Sequence, residues 1–208
     1  MDRSAIILAG GVSSRLGQDK GLLTLASKPL IKHVLDAVED IVDEKLVVVS
    51  SKIQSERYSK VVREHARILV DSAKEHGPLV GALTGLEQTS GSYSLILPCD
   101  TPFVSKDVLT LLLELCINKS AAIPRWPNCY IEPLQAVYWA KPAMNAAREA
   151  LSVGKFNMQA MVDKLRGIRY ISTLVLEQLD PELKTFLNVN TAMDLKKAEG
   201  MLRKSGKR

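Results

Sequence analysis

The pair Gly10-Gly11, followed by Arg15, Asp19 and Lys20, is the densest concentration of anion-binding chemistry in this 208-residue sequence. Glycine lets backbone N–H groups approach an anion, because no Cβ stands in the way and left-handed φ is open to it. Lysine adds a mobile positive charge. Two better-known phosphate loops are excluded by spacing. GxGxxG counted from Gly10 needs glycine where Val12 and Arg15 stand, and GxxxxGK[ST] fails because Gly17 lies one residue too far from Gly11, with Lys20 three further on.

Asp71 and Asp100 are the carboxylates that could complete such a site. Asp100 stands in Pro98-Cys99-Asp100-Thr101-Pro102, where Ser105 is the better cap for a helix starting at 106. A carboxylate facing a cationic, glycine-lined pocket is the arrangement that holds Mg²⁺ against a nucleotide phosphate. Asp71 could bond a sugar hydroxyl or a base, join the metal shell, or simply form a turn, and its residue type leaves these open. In Asn188-Val189-Asn190, alternation aims both carboxamides to one side, where they can pair with a polar heterocycle. Asn190 or Thr191 can also cap the last helix. Trp126, Tyr130 and Glu132 fit either an aromatic pocket or a packed rim. Lys155 and His76 are weaker candidates, and neither His33 nor His65 has the setting of a general base.

The elements that must position these residues follow from periodicity. Apolar or β-branched runs at Ala5–Ala9, 45–50, 67–70 and 94–97 predict strands. Helices are predicted after Pro29, near 54–64, over 79–89 and over 106–117, with a less regular second half holding a possible strand at 120–127, a clear one at 134–139 and a helix at 141–151. This alternation predicts a Rossmann-like α/β fold: a mostly parallel central sheet in a three-layer α/β/α arrangement. Ligands bind beyond the carboxyl ends of the strands in such sheets. The Gly10-Gly11 loop, Ser50-Ser51, Asp71 and Asp100 therefore leave one common edge.

Length and composition predict a single domain over 1–208, with 46% hydrophobic and 25% charged residues. The regular alternation covers residues 1–120, a less legible part follows over 121–195, and 196–208 read as a basic C-terminal helix end or tail. All of the net charge of +5 lies in that last stretch, so the body is balanced and nucleic acid is not an expected partner. No apolar run is long enough to span a membrane, and no cleavage-site pattern follows Met1, which predicts a cytoplasmic protein. Cys99, Cys116 and Cys129 have an odd count and no CxxC spacing, so they read as reduced thiols, with Cys99 a small buried filler.

LAGGVSSRLGQDKGLL, with SKPLIKHVL after it, resembles the signature loop of the molybdenum cofactor guanylyltransferases, the MobA-like family of the nucleotidyltransferase superfamily. Family-like stretches follow in order: DSAKEHGPLVGAL, LILPCDTPFV, EPLQAVY and FLNVNTAMDL. The resemblance implies a nucleotidyltransferase-type fold in which Leu8, Ala9, Gly10 and Gly11 contact the guanine nucleotide and Lys20 its phosphates, with Arg15 as the accompanying cation. It places Asp71 in the nucleotide site, Mg²⁺ on Asp100, and Asn188 and Asn190 on the pterin side. GTP and molybdopterin are the implied substrates, and a molybdenum-insertion protein and apo-molybdoenzymes the implied partners.

The implied reaction is in-line attack of the terminal phosphate of molybdopterin on the α-phosphorus of GTP, releasing pyrophosphate. Positioning and charge neutralisation by Lys20, Arg15 and Asp100 dominate such a reaction. No general base is required, because the attacking oxygen is already ionised. Cytidylyltransferase relatives read AAG at Ala9-Gly10-Gly11, so Gly10 is expected to make room for a purine. Two departures stand out: Ser27-Lys28-Pro29 replaces Gly-Lys-Pro, and Ser50-Ser51-Lys52 replaces asparagines, leaving the contact after the second strand open. Another nucleotidyltransferase, using CTP or a sugar phosphate, and a non-catalytic nucleotide-binding protein that delivers the cofactor are the alternatives.

Overall fold

The structure, a computed structural model, describes residues 2–10, 12–13, 18–71 and 75–205. The first strand, β1 (Arg3–Leu8), is followed by a short antiparallel pair, β2 (Val12–Ser13) and β3 (Gln18–Asp19), in which Val12 stands opposite Asp19. A 3-10 turn over Lys20–Leu22 leads into a second small hairpin, β4 (Thr24–Leu25) and β5 (Lys28–Pro29). Regular alternation then sets in with α1 (Leu30–Val38), β6 (Glu44–Val49), α2 (Lys52–Val62) and β7 (Arg67–Val70), followed by α3 (Pro78–Gln88), β8 (Tyr93–Pro98) and α4 (Lys106–Leu115). The later elements are β9 (Ala121–Arg125), β10 (Ala136–Trp139), α5 (Ala140–Ser152), α6 (Met158–Val162), β11 (Ile168–Ser172), α7 (Thr173–Leu176) and α8 (Ala192–Ser205).

Seven strands form one sheet in the order β11-β9-β10-β8-β1-β6-β7. Every pairing is parallel except those of β10, which runs antiparallel to both neighbours. Alternate residues of the central strands feed opposite layers, as a strand period of two requires. Ile7, Val47 and Leu97 pack with α1, α2 and α4 on one face, while Ile6, Val48 and Ile96 pack with α3, α5 and α6 on the other. The predicted three-layer arrangement is thus present. A third, smaller cluster joins the two ends of the chain: Leu23, Leu25 and Leu30 pack with Val189 and Ala198. Among the described residues no helix is long and apolar enough to cross a membrane.

Candidate active site

The carboxyl ends of β1, β6, β7 and β8 open on a cleft of about 610 Å³, lined among others by Leu8, Gly10, Lys20, Ser50, Asp71 and Asp100. Residues from five separate stretches of sequence therefore meet at one sheet edge, as the strand order requires. Gly11 and Arg15 lie outside the described residues. Ala9 does not offer its side chain to the cleft: its methyl is wholly buried in the core, and its N–H donates to Val48 O at 2.8 Å.

Lys20 is placed by its neighbours. Gly21 is buried so tightly that a Cβ there would lie 2.6 Å from the Tyr58 hydroxyl and 3.1 Å from both Cβ and Sγ of Cys99. Only glycine allows the 3-10 turn to rest on the end of β8. Lys20 Nζ consequently sits 3.4 Å from Asp100 Oδ2 and also donates to Asn190 Oδ1. Asn190 is within reach because Val189 N donates to Asp100 O at 2.8 Å, with the Val189 side chain locked in the third cluster.

Asp100 is 7% exposed. Burial pushes its carboxyl above its ordinary pKa, and the Lys20 ammonium holds part of that rise back. The helix after it has its own cap, since Ser105 Oγ accepts from Val108 N, so Asp100 is left to the cleft. Cys99 beside it is the buried filler expected: burial, reinforced by the neighbouring Asp100 charge, pushes its thiol up to about 12, which keeps it protonated and unsuited to attack at neutral pH.

Gly10 is required by packing inside the chain itself. A Cβ there would lie 2.1 Å from Ser50 Oγ, which donates to Gly10 O at 2.8 Å. The missing methyl makes room for the hydroxyl of a serine at the adjacent strand end. Of the three residues left open after the second strand, Ser50 lines the cleft, Ser51 Oγ caps α2 by accepting from Gln54 N, and Lys52 is an exposed first-turn residue. Asp71 extends the β6–β7 ladder by donating its N–H to Val49 O at 2.7 Å, which fixes it at the cleft.

His76 and Gly77 also line the cleft, Gly77 as the residue before α3. His33, by contrast, is held in packing, with Nε2 3.1 Å from Leu25 O. Asn188 and Asn190 are both exposed on either side of buried Val189, and the capping role is also filled. Asp194 N is bonded to Thr191 Oγ1, and the Asp194 carboxylate accepts from the N–H groups of Asn190 and Thr191. Lys155 is exposed and does not line the cleft.

Trp126 and Glu132 form a packed pair, Nε1 donating to Oε1 at 2.7 Å, with the indole edge-on to Phe186 at 5.7 Å between centroids. Tyr130 stands apart at 60% exposure. Burial raises the Glu132 pKa, and the indole N–H opposes the rise.

Among the described residues no group of three His, Cys, Asp or Glu side chains converges to hold a metal ion. The donors present are hard carboxylate oxygens, with Asp71 and Asp100 lining the cleft. This fits Mg²⁺, which is commonly bound by one or two carboxylates plus substrate phosphates and water, and does not fit a structural zinc cage.

A family model described as the MobA-like NTP transferase domain matches residues 5–168. A Methanosarcina mazei protein named "Probable molybdenum cofactor guanylyltransferase" is 34% identical over 203 residues, covering 95% of this chain and 90% of its own length. The crystal structure of molybdopterin-guanine dinucleotide biosynthesis protein A from Archaeoglobus fulgidus superimposes with a TM-score of 0.82 at 29% identity, over 97% of this chain and 99% of that one. A 2-C-methyl-D-erythritol 4-phosphate cytidylyltransferase from Thermus thermophilus shares the fold at a TM-score of 0.72 and 19% identity, over 98% of this chain and all of its own.

Proposed function

The chain belongs to the MobA-like NTP transferase family, and we propose that it transfers GMP from GTP to the terminal phosphate of molybdopterin. An oxygen of that phosphate forms a bond to the α-phosphorus, the bond from the α-phosphorus to the bridging oxygen of the β-phosphate breaks, and pyrophosphate leaves with the bonding pair. The observation that carries this reading is the meeting of Lys20, Asp100 and Asn190 at the mouth of the cleft.

Gly10, Ser50 and Asp71 lie to one side of that meeting point on the ends of β1, β6 and β7, and Leu8 gives the same side an apolar wall. We assign this side to the guanine nucleotide. Asn188 and Asn190 arrive from the other side with the C-terminal segment and are assigned to the pterin, whose polar edge needs both donors and acceptors. Lys20 between them neutralises charge on the triphosphate; Arg15 is assigned the same task and Gly11 a contact to the nucleotide. Asp100 would hold Mg²⁺, which supplies charge neutralisation on the phosphates when bound. Positioning and electrostatics are all that the protein has to provide. The whole chain is read as one catalytic domain, with residues 1–120 carrying the nucleotide and 121–195 the acceptor.

Incubation with Mg²⁺ and molybdopterin in the presence of GTP, CTP or ATP tests the assignment. Pyrophosphate release and a guanine-dinucleotide mass with GTP are expected. A product formed only with CTP would replace the base assignment, and no pyrophosphate with any pair would leave a binding protein.

A further inference from the structure

Asp19, the residue before Lys20, is 4% exposed although it is a carboxylate. It accepts from Gln54 Nε2 at 2.6 Å and from Arg57 at 3.2 Å. Gln54 is itself 4% exposed, and its Oε1 accepts from Ser50 N at 2.9 Å. Ser50 in turn holds Gly10 O. One buried carboxamide therefore ties the Gly10–Ser50 end of the cleft to the residue next to Lys20. On the other side of Lys20, Gly21 is pinned against Tyr58, which belongs to the same helix. Gln54, Arg57 and Tyr58 share one face of α2, as the spacings i, i+3 and i+4 require, and that face grips both neighbours of Lys20. Asp19 is also the backbone partner of Val12, so the grip fixes the base of the glycine loop.

We infer that Gln54 and Asp19 are positioning residues that set the Lys20 ammonium between Asp100 and Asn190. An apolar contact could bury the same surface, but it would not fix the angular register of the turn. An amide that accepts from one wall and donates to the other does. A displacement of about 1 Å at a charge-neutralising group is enough to lower turnover by up to two orders of magnitude. The inference rests on the assignment of Lys20 to the phosphates.

The test is a set of cycles read by pyrophosphate release, with folding checked by circular dichroism. Gln54→Glu faces Asp19 with a second carboxylate and is expected to lower kcat about tenfold or more. Adding Asp19→Asn restores a donor opposite the new acceptor, and should bring kcat back to within about threefold of the parent. Gln54→Met, which is neutral and close in shape, should also lose about tenfold, and it serves if the charged variant does not fold. In a Lys20→Ala background either Gln54 change should alter kcat by less than about twofold, because the group it positions is gone. An equal loss in both backgrounds, or full kcat in Gln54→Met, overturns the positioning role alone. Full kcat in Lys20→Ala itself removes the phosphate assignment and this inference with it.

Discussion

Asp100 carries opposite demands in the metal-free and working protein. Its folded pKa lies above the ordinary 3.8 because desolvation outweighs the help from Lys20. Between the two values the native state holds more protons than the unfolded one, so stability falls as pH rises through that window, and the whole penalty is present at neutral pH. Metal-free Asp100→Asn is therefore expected to melt at or above the wild-type temperature at pH 7.5, with the gap closing toward pH 4, while Mg²⁺-dependent turnover is lost. A lower melting temperature at neutral pH, or retained turnover, would contradict the assignment. Gly10 is set by packing. Gly10→Ala puts a methyl onto Ser50 Oγ and should cost about 1–3 kcal/mol in urea unfolding; Ser50→Gly added to it should recover most of the loss. Failure of that rescue would mean the collision is not what excludes a side chain. Lys20, Asp71 and Asp100 were legible through their convergence at one sheet edge, and Asn190 through its alternation with Asn188, although each of the acidic and amide residues also had an ordinary turn or cap reading. The strand pattern placed Ser50 at the common edge without choosing it over Ser51 or Lys52, and it did not point to Gln54. A glutamine on a polar helix reads as solvated, and only its burial against Asp19 shows otherwise.

At the level of elements, the regular part was legible because each helix and strand keeps one period. β7 spans the predicted Arg67–Val70, and α1, α3 and α4 start within a residue of the predicted points. The second half was harder to read. β11 carries Arg169 and Tyr170 on exposed positions with little apolar alternation, since an edge strand buries only part of itself. The small hairpins contribute two residues per strand, too few to show a period. The β4–β5 turn repays closer reading. Ala26 and Ser27 both adopt left-handed φ, 50° and 66°, as a two-residue type I′ turn demands. Non-glycine residues there cost about 1–2 kcal/mol each. The substitution seen as a mere departure at Ser27 is thus a strained one. Ala26→Asn with Ser27→Gly should raise stability by about 1–2 kcal/mol in chemical unfolding without altering turnover. No gain would mean that the turn is relieved by some other contact.

For the whole molecule, the decisive contact joins the two ends of the chain. Lys20 and Asn190 are 170 positions apart, and no local pattern predicts their meeting. Ordered family-like segments implied that both serve one site, while the physical cause is the third core cluster. Val189 is wholly buried against Leu23, Leu25 and Leu30, and its backbone N–H is bonded to Asp100 O. The side assigned to the acceptor is thus held by this cluster, in which Val189 is the wholly buried residue lying between the two asparagines. Val189→Ala removes two buried methyl groups' worth of contact, about 2 kcal/mol with the cavity included. Since Val189 sits between Asn188 and Asn190, loosening it should raise the KM for molybdopterin by more than it raises the KM for GTP, whose proposed contacts on β1, β6 and β7 belong to a different cluster. Equal changes in both constants would show that the C-terminal segment serves the two substrates alike. A change in the GTP constant alone would reverse the assignment of the two sides of the cleft.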